Sequence, residues 1–173
     1  MANAKETETG GWAERLERLA RLVPGVGTYQ DREGLREADK RVRTYLAELL
    51  VNLGRGLEPT QQRLTEARQL DRLPALDRIG RQVSTLADRA RLASYGFAGV
   101  FALHKVRERE LTLLHEFDVR LLEEIPRLES SIRALAEAAG QEDGFSEAAQ
   151  AADDVLWRFK QGLDERDKLA RGL

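Results

Sequence analysis

The fold of this chain is decided by residues 76–135, which read LDRIGRQVSTLADRARLASYGFAGVFALHKVRERELTLLHEFDVRLLEEIPRLESSIRAL. When the residues are counted in sevens from Leu76, apolar side chains occupy fifteen of the eighteen first and fourth positions of the heptads. A repeat of this kind is typical of α-helices that pack side by side at a shallow angle. The pattern therefore predicts an all-α fold, an elongated antiparallel helical bundle or coiled coil of about four or five helices.

The unbroken heptad count also predicts one long helix near residues 74–139. A turn at Gly96 or Gly99 would have no reason to preserve the count, whereas a continuous helix would. At a rise of about 1.5 Å per residue, this helix would be on the order of 90 Å long. The alternative is two helices that meet near residues 94–99. Pro126 is expected to kink or divide the long helix.

Residues 92–103, LASYGFAGVFAL, form the longest run without a charged side chain. In a helix this run is apolar on several faces, and its two glycines, each costing about 1 kcal/mol relative to alanine, indicate close packing. Three interpretations stay open: the crowded centre of the bundle, a contact with a partner or second copy, and a contact with a membrane surface. The candidate interaction and polar-seam residues are Tyr95, Gly96, Phe97, Gly99, Val100, Phe101, His104 and Arg107.

Three heptad positions carry polar residues where apolar ones are expected: His104, Arg107 and Asp118. Polar residues at such positions often fix the register or the oligomeric state of packed helices. For His104 and Arg107 two interpretations stay open. Either they belong to a buried polar layer with an acidic partner from another helix, or the seam frays there and both side chains reach solvent.

The rest of the chain carries shorter helical patterns with recognisable ends. An amphipathic helix that begins near Trp12 is expected to stop at Pro24, and Asp31 is expected to start the next helix. The pattern is interrupted around Pro59, where the helix either continues with a kink or restarts. After the loop AAGQEDG, Ser146 is expected to cap the last helix.

Charge is unevenly distributed along the chain. Residues 11–105 contain 17 basic and 12 acidic residues, whereas residues 106–173 contain 10 basic and 16 acidic residues. The two halves suit each other, either within one folded chain or across a dimer, unless the difference is chance scatter. On a smaller scale, Arg36, Lys40 and Arg43 form a basic stripe with acidic residues between them. We expect a solvated face with i, i+4 ion pairs there.

Composition narrows the class of protein. The net charge is −2, so nothing global attracts nucleic acid and no nucleic-acid partner is expected. The sequence has no cysteine, no signal-peptide pattern and no apolar run near the ~18 residues that span a bilayer, so a cytoplasmic protein is expected. Residues 1–10 are expected to be a disordered tail, and residues 11–173 a single helical-bundle domain.

The sequence predicts no catalytic, cofactor-binding or metal-binding residues. His104 and His115 are eleven residues apart, about 16 Å along a helix, which is too far for them to share one metal ion. The Gly-Val-Gly of residues 25–27 lacks the preceding strand and the Gly-Lys-Ser/Thr of a phosphate-binding loop. A non-enzymatic protein without a cofactor is therefore favoured over an enzyme.

Two motifs lie in residues 23–43, VPGVGTYQDREGLREADKRVR, and in residues 76–106, LDRIGRQVSTLADRARLASYGFAGVFALHKV. The first is a Pro-Gly-Tyr-type loop before a helix rich in Arg, Glu, Ala, Asp and Lys, and the second contains Tyr-Gly-Phe-Ala-Gly. In these motifs the chain resembles an uncharacterised bacterial all-helical domain family, although Val26 departs from the aromatic residue of that family's loop. The resemblance covers about half of the chain and implies no activity and no functional residues.

These observations predict a non-enzymatic helical scaffold or protein-interaction module that associates with itself or with another helical protein. The first alternative is a peripheral membrane-associated stress or accessory protein, which would touch an anionic membrane surface through residues 92–103 or the helix near Trp12. The second alternative is a ligand-binding bundle or small enzyme with a pocket near Tyr95, His104 and Arg107.

Overall fold

The computed structural model describes residues 17–25, 32–92 and 107–171. A 3₁₀ turn, Leu70–Arg72, and a short helical segment, residues 17–22, accompany the long helices. No strand occurs in the described residues, which confirms the predicted all-α class. The five α-helices of these residues are α1 (Arg32–Arg55), α2 (Glu58–Glu66), α3 (Leu73–Leu92), α4 (Arg107–Ala138) and α5 (Phe145–Arg171).

The bundle consists of two antiparallel helical hairpins. In the first hairpin α1 packs against α3, with the short α2 in the connection between them, and in the second hairpin α4 packs against α5. In the first hairpin, Arg43 in the middle of α1 donates a hydrogen bond to the carbonyl oxygen of Arg91 at the end of α3, at 3.0 Å. In the second, a Cβ on Gly162 would lie 3.2 Å from Leu121 Cδ2, so this glycine lets α5 approach α4 closely. The hairpins pack with α3 beside α5 and α1 beside α4.

The predicted heptad positions form the core wherever the structure describes them. Burying a leucine or isoleucine side chain stabilises a folded protein by about 1.5–3 kcal/mol relative to leaving it exposed to water. The described first and fourth positions, all buried, are Leu76, Ile79, Val83, Leu86, Ala90, Leu114, Asp118, Leu121, Ile125, Leu128, Ile132 and Leu135. The heptad interpretation is therefore confirmed for α3 and α4, including one position that carries a charge.

The expectation of one continuous helix over residues 74–139 is wrong, because α3 and α4 run in opposite directions. Arg72, directly before α3, donates from Nη1 to the carbonyl oxygen of Ala139, just after α4, at 2.8 Å. In one straight helix these residues would be about 100 Å apart. The structure has two separate helices here, α3 and α4, and the predicted meeting point near residues 94–99 lies outside the described residues. Pro126 lies within α4, which continues through it, so it does not divide this helix.

Arg72 also holds the two hairpins together at the end of the bundle where α3 begins and α4 finishes. The last carbonyl groups of a helix have no partner within the helix and need donors from elsewhere. Arg72 Nη1 donates to the carbonyl oxygen of Ala138, the last residue of α4, at 3.4 Å, and to that of Ala139 in the following turn. Its guanidinium lies 5.4 Å from the centroid of the Phe145 ring. One side chain of the first hairpin thus anchors the turn of the second.

Among the other predicted helix ends, some are confirmed and one is wrong. The short N-terminal helical segment ends before Pro24 as expected, with Leu19 and Val23 buried against the bundle. At Pro59 the chain restarts as a new helix, α2. Ser146 is not the cap of α5, because the helix begins at Phe145 after Gly144, whose φ of 86° favours glycine.

Candidate functional site

The predicted interaction residues fall in a part of the chain that the structure does not describe. Seven of them, between residues 95 and 104, lie outside the described residues, as does the side chain of Arg107 at the start of α4. The described residues on either side are informative. Leu92 ends α3 with 62% of its surface exposed, and Leu113 in the second turn of α4 is 42% exposed. Both lie at the end of the bundle where α3 finishes and α4 begins.

A buried ionic cluster of Asp39, Arg43, Asp118 and Arg166 lies toward the same end of the bundle. Arg166 donates from Nε to Asp118 Oδ1 at 2.5 Å and from Nη2 to Asp39 Oδ1 at 2.6 Å. Arg43 donates from Nε to Asp39 Oδ2 at 2.8 Å and from Nη1 to the carbonyl oxygen of Arg91. The buried ionic cluster therefore links α1, α4 and α5 to the C-terminal end of α3.

The cluster is almost completely withdrawn from solvent. Asp118 and Arg166 are each 1% exposed, Arg43 is 5% exposed and Asp39 is 7% exposed. Burying an ion costs several kcal/mol unless it is paired and its hydrogen-bonding groups are satisfied. Two arginines and two aspartates balance in formal charge, so the arrangement is tolerated as a unit. Loss of any one member would leave an opposite charge buried.

Electrostatics within the cluster keep the arginine charged. Burial opposes the charge of Arg166, but the attraction of Asp118 and Asp39 outweighs burial and raises its pKa above the ordinary value. Both carboxylates are already engaged by guanidinium groups. They are therefore structural partners that hold helices together, and neither is available as a general base or a cation ligand.

His115 lies one turn before Asp118 on α4, with Nδ1 4.0 Å from Asp118 Oδ2, and it is 2% exposed. Burial lowers the pKa of His115 below its ordinary value of 6.5. The carboxylates of Asp118 and Asp39 act in the opposite direction but do not overcome burial. The imidazole is therefore neutral at neutral pH, and the buried charges remain balanced around it.

Ion pairs between the hairpins join basic residues of α3 to acidic residues of α5. Arg89 on α3 donates from Nη2 to Asp164 at 2.7 Å and to Asp167 at 2.9 Å, both on α5. Arg78, about three turns earlier on the same face of α3, pairs with Asp153 on α5. Basic residues of the first half thus meet acidic residues of the second half within one folded chain, which was one of the predicted arrangements.

Part of the buried ionic cluster was missed from the sequence. Arg43 was expected on a solvated stripe; that expectation is wrong for this residue, although its i, i+4 pair with Asp39 does exist. Asp118 was recognised as an exception to the heptads, but its partner Arg166 was not. The available signal was position: Arg166 lies three residues after Leu163 and four before Ala170, both buried, so it occupies the apolar face of α5.

A surface cleft, with a volume of about 470 Å³, lies on the outer side of α1. Its lining is mixed in charge, and all of its members except the half-buried Tyr45 are exposed. The lining residues are Pro24, Glu37, Lys40, Arg41, Thr44, Tyr45 and Glu48. The Arg41 side chain already has a partner within the protein, because its Nη1 donates to the carbonyl oxygen of Gly25 at 2.8 Å. The pocket predicted near Tyr95, His104 and Arg107 falls on side chains outside the described residues.

Membrane spans and metal clusters are both absent from the described part of the chain. No helix there is both long enough and apolar enough to cross a membrane. In the same ranges, no three His, Cys, Asp or Glu side chains are grouped so that they could hold a metal ion. The resemblance to a bacterial helical family stays a prediction, since comparisons with protein-family models, curated proteins and solved structures find no match to this chain.

Proposed function

We propose that this protein is a helical interaction module that associates with itself through one end of its bundle. We call this surface the apolar end and define it by Leu92 and Leu113; the charge-free sequence of residues 93–103 follows Leu92 in the chain. The observation that carries the proposal is the exposure of these two leucines, 62% and 42%, where the two hairpins join. Exposed apolar surface of this kind marks interaction sites when it is contiguous, and both leucines lie toward the same end of the bundle.

A second copy of the chain is the simplest partner for this surface. A two-fold axis placed at the apolar end brings identical apolar side chains together, which is how most soluble homodimers form. The lack of charge in residues 92–103 supports such a contact, because no like charges would face each other across the axis.

The buried ionic cluster supports the same function by ordering the apolar end. It connects α1, α4 and α5 to the last turn of α3, next to Leu92. A surface that is held rigid before association loses less conformational entropy on binding. The cluster thus acts as a positioning device for the interaction surface.

The test is the mass in solution of paired variants. Wild-type protein, measured by light scattering from about 1 to several hundred micromolar, should exceed the 19.5 kDa of one chain. Leu92→Glu with Leu113→Glu should return it to that mass. Leu70→Glu is the matched control, because Leu70 is 55% exposed at the opposite end of the bundle and should leave association unchanged.

Two results would contradict the proposal. One is a wild-type protein that stays monomeric over the whole concentration range. The other is equal association of the Leu92→Glu, Leu113→Glu and Leu70→Glu proteins, with the same helix content by circular dichroism. Flotation with anionic lipid vesicles is the accompanying control: a monomer that binds vesicles through Leu92 and Leu113 would assign the apolar end to a membrane surface instead.

A further inference from the structure

Residues 17–25 lie across the two hairpins and belong to neither of them, and we call them the strap. Arg18 of the strap pairs with Glu123 on α4. At the other end of the strap, the carbonyl oxygen of Gly25 accepts a hydrogen bond from Arg41 Nη1 on α1, at 2.8 Å. The strap therefore crosses the groove between α1 and α4 and contacts both hairpins.

Two apolar side chains account for most of the burial of the strap. Leu19 and Val23 are buried in the core, and Leu22 is half-buried against it. The other side chains of the strap are exposed. Its ion pair with α4 joins side chains that are 61% and 42% exposed, and a pair so open to solvent adds little to stability. The strap is thus attached to the bundle by few interactions.

The helical part of the strap does not persist without these contacts. Isolated helices shorter than about 12–15 residues are marginal in water, because the first turn is costly to form. Among the described residues, the backbone of the strap exchanges no hydrogen bond with the backbone of the five α-helices. The strap can therefore leave its groove without breaking the backbone hydrogen bonds of the bundle.

Arg41 fixes the end of the strap on α1. Its Nη1 donates to Gly25, and its Nε pairs with Glu37, one turn earlier on the same helix, at 3.2 Å. Gly25 has a φ of 80°, and a Cβ at this residue would lie 2.7 Å from Arg41 Nη1 and displace the guanidinium. Glycine thus permits both the turn and the hydrogen bond that holds the strap in place.

We propose that the strap opens and closes on an otherwise intact bundle, and that Arg41 holds it closed. This device goes beyond the proposed self-association and does not require it. In the closed form, Leu19 and Val23 cover apolar side chains of the core, and Pro24 forms one wall of the surface cleft along α1. Opening removes that wall and exposes an apolar groove between α1 and α4, separate from the apolar end.

The experiment uses the absence of cysteine from the chain. Val23→Cys places a thiol beneath the strap, and Val83→Cys places one in the core of α3 as the matched control, since both valines are buried. Each full-length protein is mixed with a maleimide in excess, and the labelled fraction is followed by mass spectrometry at increasing urea concentrations. Urea unfolding followed by circular dichroism gives the global stability of each variant.

Opening of the strap predicts that Val23→Cys reacts at least about 10-fold faster than Val83→Cys without urea. Its rate should change little at low urea concentrations, because opening a short segment exposes little surface. The Val83→Cys thiol should react only through global unfolding, with a rate that rises steeply with urea. Equal rates with the same steep dependence on urea would overturn the proposal, because the strap would then open only when the bundle unfolds.

The role of Arg41 is tested in the same assay. Arg41→Ala removes one hydrogen bond from the closed form, so it should raise the Val23→Cys rate roughly 3–10-fold and leave the Val83→Cys rate unchanged at low urea. Arg133→Ala is the matched control, because Arg133 pairs with Glu129 within α4, and it should change neither rate. Equal effects of Arg41→Ala and Arg133→Ala on the Val23→Cys rate would overturn the assignment of Arg41.

Discussion

At the scale of single residues, the fold depends on charges that are buried together. Asp118 and Arg166 occupy positions where the helical pattern expects apolar side chains, and each is 1% exposed. Their presence is explained by mutual pairing and by Asp39, which accepts from both Arg166 and Arg43. A cluster of this kind stabilises the fold only while it is complete.

Replacing Arg166 by leucine tests this dependence. Arg166→Leu leaves the carboxylates of Asp39 and Asp118 buried without their shared cation, so we expect a loss of about 3–5 kcal/mol in the free energy of unfolding. Urea unfolding followed by circular dichroism measures it. Arg158→Leu is the matched control on the exposed face of α5 and should change stability by less than about 0.5 kcal/mol. A similarly small effect of both substitutions would show that the cluster does not stabilise the bundle.

His115 predicts a specific dependence of stability on pH. Burial holds its pKa in the folded protein below 6.5, so the unfolded chain takes up a proton at a higher pH than the folded chain does. Between the two pKa values the unfolded state binds more protons, and the free energy of unfolding therefore falls as the pH is lowered through about 6.5. Above that range this contribution is fully present.

Unfolding free energies of wild type and His115→Gln, measured between pH 7.5 and pH 5.5, isolate this contribution. The wild-type curve should fall more steeply below about pH 6.5 than the variant curve, because the variant no longer titrates at this position. Comparing slopes rather than absolute values separates titration from any packing change that glutamine introduces. Parallel curves would show that His115 is not protonated on unfolding in this range.

At the scale of helices, most of the faces and some of the ends could be predicted from the sequence, but the directions could not. The heptads identify the buried side of α3 and α4 because burial repeats with the helical period. They do not reveal that α3 and α4 run in opposite directions, since an in-phase register is compatible with either arrangement. The partners of the buried ionic cluster were equally hidden, because Asp39 and Arg166 are 127 residues apart in sequence.

The turn directly after α2 contains a strained residue, Arg68, whose replacement should stabilise the protein. Arg68 has a φ of 58°, and the backbone N–H groups of Arg68 and Gln69 donate to Thr65 and Leu64 in the capping turn that usually contains glycine. A left-handed conformation costs a residue with a side chain about 1–2 kcal/mol. Since glycine also gains freedom in the unfolded chain, we expect Arg68→Gly to increase stability by about 0.5–1 kcal/mol.

Arg68→Ala is the matched control for this substitution. It removes the same charged side chain but keeps a Cβ, so it relieves none of the conformational strain. Thermal and urea unfolding of the three proteins should therefore rank glycine above both arginine and alanine. Equal stability of the glycine and alanine variants would attribute the effect to the side chain and not to the backbone.

At the scale of the whole molecule, two separated contacts clamp the hairpins to each other. Arg72 holds the turn of the second hairpin at one end, and Arg166 binds Asp39 toward the other end. Neither hairpin can separate without breaking both contacts and exposing the shared core. The hairpins of the monomer should therefore unfold as one cooperative unit, even though each has its own antiparallel helix pair.

Hydrogen exchange of the monomer fraction, read by mass spectrometry, checks this cooperativity. The slowest amides of both hairpins should open with the same free energy, equal to that of global unfolding, and should respond equally to urea. Helix α2 provides an internal comparison, because only Thr60 and Leu64 of its nine residues are buried, and its amides should exchange through smaller openings. If one hairpin keeps its protection at a urea concentration where the other has lost it, the clamps do not couple them. The hairpins would then be independent units that merely share a surface.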